Sequence, residues 1–279
     1  MSRPLPRYDL HCHSSASDGT LLPEELLERA VEKEIDVLAL TDHDTVAGVL
    51  SLQRSGLSKQ LKLISGVELT CQWEGRVVHL LGLGIDPESV SLQEYLTGVR
   101  QLRVERGQKI TQRLRKLQLP DLHDQARDIA GSDVLGRPHI AKAMVASGVV
   151  GSEQEAFKRY LGAGKSGDVK AVWPELETTV AVVTEAKGFA LVAHPTKYKM
   201  TFSKLRRLLH DFVIAGGHGI EVAYPGVTSE QQKHLLRIAE QYDLMVSGGS
   251  DFHSPSYTWT ELGRFPQLMN TDNHVLCHL

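Results

Sequence analysis

Seven short apolar runs dominate the patterning of this chain, and most of them carry an imidazole or a carboxylate within or just beyond them. "YDLHC", "DVLALT", "LKLISGVEL", "VVHLLGLGI", "GFALVAH", "GIEVAY" and "LMVSGG" each have the length and composition of a buried strand. Helical patterns lie between several of them. "PEELLERAVEKE" (23–34) places Pro at a first helical position and Leu26, Leu27, Ala30 and Val31 on one face. "TTVAVVTEAKG" (178–188) ends on a glycine stop, and "SEQQKHLLRIAEQYD" (229–243) precedes another strand. Strands alternating with helices predict an α/β fold built on a parallel sheet. The alternation fails between about 90 and 172, where helices alone are predicted near 91–118, 121–130, 138–147 and 152–162. That stretch reads as a helical insertion in an α/β body.

With 279 residues, 41% of them apolar, the chain can bury one large core or two modest ones. Its 31 basic and 34 acidic side chains leave a net charge of −3, which argues against general electrostatic binding to nucleic acid. Cys12, Cys71 and Cys277 have no paired spacing, so a reducing, cytoplasmic setting is expected rather than a disulfide framework. No apolar run nears the ~20 residues that span a bilayer, and the first strand begins too early to leave room for a signal peptide.

The polar residues at the strand ends carry the chemistry. His11 and His13 are two apart on one strand, so their imidazoles share a face and can grip one ion. Asp18 follows in the loop. Asp42, His43 and Asp44 follow "VLAL", Glu68 follows "LISGV", and His79 lies within "VVHLL". His194 follows "FALVA"; Asp251 and His253 follow "LMVSGG". One histidine after a strand is usually structural. Six strands so decorated would load a core with unpaired polar groups, unless those groups bind something. Imidazoles and carboxylates without thiolates suit manganese, iron or zinc. Cys12, between two ligands, should face the opposite way, into the core.

"HCH…D", "TDHD", "GVE", the strand histidine His79, "AHP" and "GSDFH" resemble the motifs of the PHP (polymerase and histidinol phosphatase) superfamily. From Tyr8 to about Gly263 the chain is similar to the branch of nucleoside 3′,5′-bisphosphate 3′-phosphatases that also act as 5′-to-3′ exoribonucleases. The resemblance implies a distorted seven-stranded β/α barrel from 1–90 and 173–279, with 91–172 as a helical insertion covering the active site. It implies two or three divalent ions, manganese first, with zinc or iron as alternatives. The first ion would take His11, His13, Glu68 and Asp251. The second would share Glu68 with His79 and His194, and the third would take Asp18, His43 and His253. The catalytic set would be His11, His13, Glu68, His194, Asp251 and His253. Substrate phosphate would meet Arg137 and His139 of "GRPH", Lys165 of "GAGKSG", and Lys197 and Tyr198 of "AHPTKYKM". Arginine suits such contacts because its fork binds phosphate with two hydrogen bonds.

The implied activity is hydrolysis of nucleoside 3′,5′-bisphosphates and of short 5′-monophosphorylated RNA, with no membrane and no obligate protein partner. The cations of "RQLRVERGQKITQRLRK" (100–116) are either a solvated helix face or a track for an RNA backbone. A small-metabolite phosphatase, such as one for histidinol phosphate, is a second reading. An amidohydrolase is a third, but it expects a metal-bridging lysine where this chain has Glu68. A non-catalytic binding domain is a fourth, and it predicts decayed ligand positions, whereas all nine carry competent side chains.

Overall fold

The apolar runs pair in the order in which they occur. In a computed structural model describing residues 5–56, 60–268 and 272–279, seven strands form one sheet ordered β1 to β7. They are β1 (Tyr8–Asp9), β2 (Val37–Leu40), β3 (Lys62–Trp73), β4 (Arg76–Leu83), β5 (Phe189–Val192), β6 (Gly219–Ala223) and β7 (Met245–Gly248). The segments that follow β1 and β7 nearly close the sheet into a barrel. Leu10 N donates to Gly248 O (3.3 Å), Asp251 N to His11 O (2.7 Å) and His13 N to Phe252 O (2.8 Å). Gly249 permits this approach, since a Cβ there would lie 2.4 Å from the Cβ of His11.

The sheet is not wholly parallel, which corrects the expectation from strand–helix alternation. β4 runs antiparallel to both β3 and β5. Only Glu74 and Gly75 separate β3 from β4, and both have positive φ (46° and 68°), the geometry of a tight hairpin turn. Two residues cannot carry the crossover that a parallel partner needs, so the chain must reverse.

Helices pack outside the strands. α1 (Pro23–Glu32) buries Leu26, Leu27 and Ala30 in one cluster with Leu38 and Leu40 of β2. Each such leucine contributes roughly 1.5–3 kcal/mol when taken from water. Leu22 offers α1 no capping side chain, so Glu25 reaches back to accept from the Leu22 amide (2.8 Å). α2 (Ala47–Ser55) and α8 (Phe202–Ile214) join the expected α7 (Leu176–Glu185) and α9 (Ser229–Gln241).

The chain divides into two compact units: residues up to Tyr95 with those from Pro174 onward, and Leu96–Trp173. The second holds α3 (Val90–Arg115) from Leu96 on, α4 (His123–Ala130), α5 (Arg137–Ala146) and α6 (Glu153–Ala156). α6 continues as a π-helical turn, Phe157–Leu161, where one helix is expected. This unit has its own core, including Ile110, Leu114, Leu122, Leu135, Ile140 and Met144. Among the described residues no helix is long and apolar enough to cross a membrane.

Candidate metal centre

Beyond the two-residue β1 the chain keeps irregular backbone pairing with the segment after β7 and presents alternate side chains to one face. His11 and His13 are fully buried, with their Nε2 atoms 3.2 Å apart. Glu68 Oε2 lies 3.3 Å from each of them. Asp251 Oδ1 lies 3.5 Å from His11 Nε2 and 3.3 Å from His13 Nε2. Four donors around an ion with bonds of about 2.0–2.2 Å would be separated by about 3.3–3.6 Å, the edge of a tetrahedron. The spacing therefore fits an ion, and two imidazole nitrogens facing each other have little other reason to meet.

The second carboxylate oxygen of Glu68 serves a different group. Oε1 lies 2.9 Å from His79 Nδ1 and 2.9 Å from His194 Nε2. Glu68 lies inside β3, which runs on to Trp73, rather than just past a strand end as the sequence suggests. His79 reaches the same region from within the reversed strand β4, opposite Thr70. A third group joins His253 Nε2 and Asp18 Oδ1 (3.3 Å) with His43 and His13. The donors overlap more than three separate sets would. His13 belongs to two groups, and His43 Nδ1 lies 3.0 Å from Glu68 Oε2. Buried polar atoms without a hydrogen-bond partner include His13 Nδ1, Asp18 Oδ1, His43 Nδ1, Glu68 Oε2 and His194 Nδ1. Buried polar atoms are normally satisfied, so orphans gathered on nine convergent residues are what cation ligands look like.

The backbone is strained where it delivers two of these groups. His194 (φ 25°) and Asp251 (φ 49°) occupy the left-handed region without being glycine. Electrostatics follow from the crowding. Burial disfavours a charged His11, yet Glu221, Glu68 and Asp251 outweigh it and hold the imidazole well above its usual range. Burial likewise opposes charge on His13, but hydrogen bonds to Asp251 and Glu68 raise it to about 10. Burial would raise Asp251, and His11 and Lys197 nevertheless pull it well below the usual carboxylate range.

Glu221, inside β6, went unremarked in the sequence. It is fully buried, accepts from His11 Nδ1 (3.1 Å) through Oε1, and accepts from the His194 amide (2.7 Å) through Oε2. It therefore turns His11 Nε2 toward the cluster and fixes the end of β5. The signal was an acidic residue in a run otherwise apolar enough to be fully buried. Asp42 and Asp44 are loop organisers. Asp42 accepts from the Ser14 amide, Ser14 Oγ and Ser17 Oγ (2.7, 2.7 and 2.6 Å), and Asp44 accepts from the Thr70 amide (2.7 Å). Cys12 is buried, with its thiol donating to Ala39 O (3.3 Å).

The expected phosphate contacts fare differently. Lys197 Nζ pairs with Asp251 Oδ2, so its charge faces a carboxylate of the cluster. The Tyr198 hydroxyl donates to Ala193 O (2.7 Å) and accepts from the His79 amide (2.9 Å), which ties it to the backbone. The other three belong to the helical unit. His139 is buried and its Nδ1 accepts from the Gly136 amide (3.2 Å), capping its own helix. Lys165 is exposed on a turn closed by its amide to Gly162 O (3.0 Å). Arg137 donates to Leu161 O (3.3 Å), and Arg106 donates to Val169 O (2.9 Å). Burial, then the neighbouring Arg137 and Arg103, lower Arg106 to about 10, so three guanidiniums share one region of that unit. Arg103 lies over Trp173 (5.5 Å), while Arg100, Lys109, Arg113, Arg115 and Lys116 face solvent.

The PHP domain family profile matches residues 9–134. A 5′-3′ exoribonuclease of Haemophilus influenzae is 42% identical over 95% of this chain and 96% of its own. The chain belongs to the PHP family. A 3′,5′-nucleoside bisphosphate phosphatase of Chromobacterium violaceum is 35% identical over 93% of this chain and 92% of its own, which places this PHP protein beside the expected branch. A solved structure from the same organism, described as an amidohydrolase with bound sulfate and no metal, superposes with a TM-score of 0.90. It is 33% identical over 98% of this chain and 95% of that one. This PHP protein is a metal-dependent phosphoesterase, and hence a hydrolase.

Proposed function

We propose that the chain removes the 3′-phosphate from nucleoside 3′,5′-bisphosphates, and 5′-nucleotides from short 5′-monophosphorylated RNA, at one metal centre. The observation that carries this reading is the division of Glu68 between two imidazole groups, in a chain similar along nearly its whole length to proteins named for each activity. His11, His13, Glu68 and Asp251 would hold one ion, Glu68, His79 and His194 a second, and Asp18, His43 and His253 a third; manganese suits this thiolate-free set best. Bound divalent ions would supply a nucleophilic hydroxide and positive charge for a phosphate ester.

The chain's own residues do the rest. Glu221 orients His11, and Lys197 adds positive charge beside Asp251. Arg137, with Lys165, would contact substrate phosphate, since a guanidinium fork binds phosphate with two hydrogen bonds. The two substrates share a register. Each presents a 5′-phosphate, a base and a phosphorus on the 3′-oxygen, so holding the 5′-phosphate presents that phosphorus for attack in both. Buried, unpaired Cys12 and Cys71 support a reducing cytoplasmic setting.

The test is phosphate release, with manganese, across nucleoside bisphosphates, histidinol phosphate and sugar phosphates, alongside shortening of RNA. Bisphosphate should be the best small substrate and should inhibit RNA shortening competitively. RNA with a 5′-hydroxyl should react poorly. Preference for histidinol phosphate would favour the small-metabolite alternative, and non-competitive inhibition would overturn the shared register.

A further inference from the structure

The loop after Asp251 and His253 carries an exposed aromatic pair. Tyr257 and Trp259 stack with ring centroids 4.7 Å apart and planes 13° from parallel. Trp259 is nonetheless 59% exposed, so its indole is supported by the tyrosine while much of its surface stays in water. Tryptophan normally buries its large apolar ring, and one held at the surface by a stacked neighbour offers a flat binding face. The loop is ordered by turns: Tyr257 N donates to Ser254 O (3.2 Å) and Thr260 N to Tyr257 O (3.4 Å). The exposed Arg264 donates to Thr258 O (2.5 Å), the carbonyl between the two rings, and so brings a cation beside them.

This loop is continuous with the metal centre. Ser254, its anchor, follows ligand His253, and Thr20 binds both, through its amide to His253 O (2.8 Å) and its hydroxyl to Ser254 Oγ (3.1 Å). Six residue steps lead from His253 to Trp259, a span of at most about 20 Å that the turns shorten to the reach of a few nucleotides.

We infer that Tyr257 and Trp259 form a base-stacking platform for single-stranded RNA, with Arg264 beside it for the phosphodiester backbone. The inference rests on the proposed reading that RNA is a substrate, and it assigns to this loop the nucleotides beyond the one at the metals. A nucleoside bisphosphate has no such nucleotide and should ignore the platform. Stacking tolerates any base, which suits an exonuclease that must accept each new end.

The test compares the full-length protein with Trp259→Ala and Trp259→Phe, all supplied with manganese. Binding of a labelled 5′-phosphorylated oligoribonucleotide with phosphorothioate linkages is read by fluorescence anisotropy, and binding of adenosine 3′,5′-bisphosphate by calorimetry. Trp259→Ala should weaken the oligonucleotide by about 5- to 150-fold, the range of one base–aromatic stack, and leave the bisphosphate within about twofold. Trp259→Phe should recover most of the loss. Arg264→Ala should flatten the salt dependence of oligonucleotide binding. Unchanged oligonucleotide affinity in Trp259→Ala, as expected if this face instead docks a protein, overturns the platform, as does equal weakening of both ligands. Wild-type protein that binds the oligonucleotide through Trp259 but never shortens its hydrolysable form would uphold the platform and refute the RNA activity.

Discussion

Replacing Glu221 with glutamine changes one atom of a fully buried side chain, yet it should loosen the metal centre. A carboxylate can only accept. With an ion at Nε2 it therefore keeps the His11 proton on Nδ1 (3.1 Å away) and leaves Nε2 free on the side of His13, Glu68 and Asp251. A glutamine has one acceptor for two donors, His11 Nδ1 and the His194 amide (2.7 Å). If its oxygen stays on the amide, its NH2 faces Nδ1 and draws out the other tautomer, whose Nε2–H cannot ligate. The lost contact is charge-assisted and worth about 1.5–3 kcal/mol. Passed on to the ion, that is about 10- to 100-fold in affinity, the usual cost of removing a partner behind a ligand. Calorimetric titration of metal-free Glu221→Gln with manganese should show this weakening, with a far-ultraviolet circular dichroism spectrum like wild type. Wild-type affinity and stoichiometry would refute the argument that Glu221 sets the His11 tautomer.

Chelation should abolish phosphate release and manganese should restore it, whereas Glu68→Gln should lower bound metal by elemental analysis even with manganese present, because both carboxylate oxygens face imidazoles. Arg137→Ala should cut kcat/KM for the bisphosphate about tenfold to a hundredfold while metal content holds, measured by steady-state kinetics and elemental analysis. His274 is buried, with Nε2 unpartnered, and burial lowers it from 6.5 to about 4. The unfolded chain then binds the extra proton first, so stability is full above 6.5 and drains as pH falls toward 4. Denaturant titrations should show on the order of 2 kcal/mol less stability at about pH 5 than at about pH 7.5 from this group. His274→Asn, which keeps an acceptor for the Leu276 amide, should remove that share.

The convergent imidazoles and carboxylates were legible because strand ends leave a mark: apolar run, then imidazole or carboxylate. His11, His13, His43, His194, Asp251 and His253 all follow a strand by a few residues. His79 was legible inside its strand, whereas Glu68 was legible as a residue type but not as a position, because β3 continues past it to Trp73. The reversal of β4 was written in "WEGR", where Glu-Gly leaves no room for a crossover, but the apolar runs on either side read the same in either direction. Glu221 was hidden by the opposite effect, a single acid inside a strand-like run, whose meaning depends on a histidine more than two hundred residues away. Lys197 and Tyr198 show the same limit. Chain position placed them beside His194, but only packing decides that one ammonium turns to Asp251 and one hydroxyl to the backbone.

Among the nine candidate ligand side chains only Asp18, Glu68 and Asp251 are acidic; the other six are imidazoles, which are neutral when they coordinate. Two divalent ions already exceed that negative charge, and a third widens the excess. A cluster so loaded would be short of counter-charge, and an anionic phosphate ester would complete it. Linkage then runs in both directions. Whatever the substrate gains from the ions, the ions gain from the substrate. Metal occupancy should rise when nucleotide is bound, and the least tightly held ion should exchange fastest just after an anionic product has left.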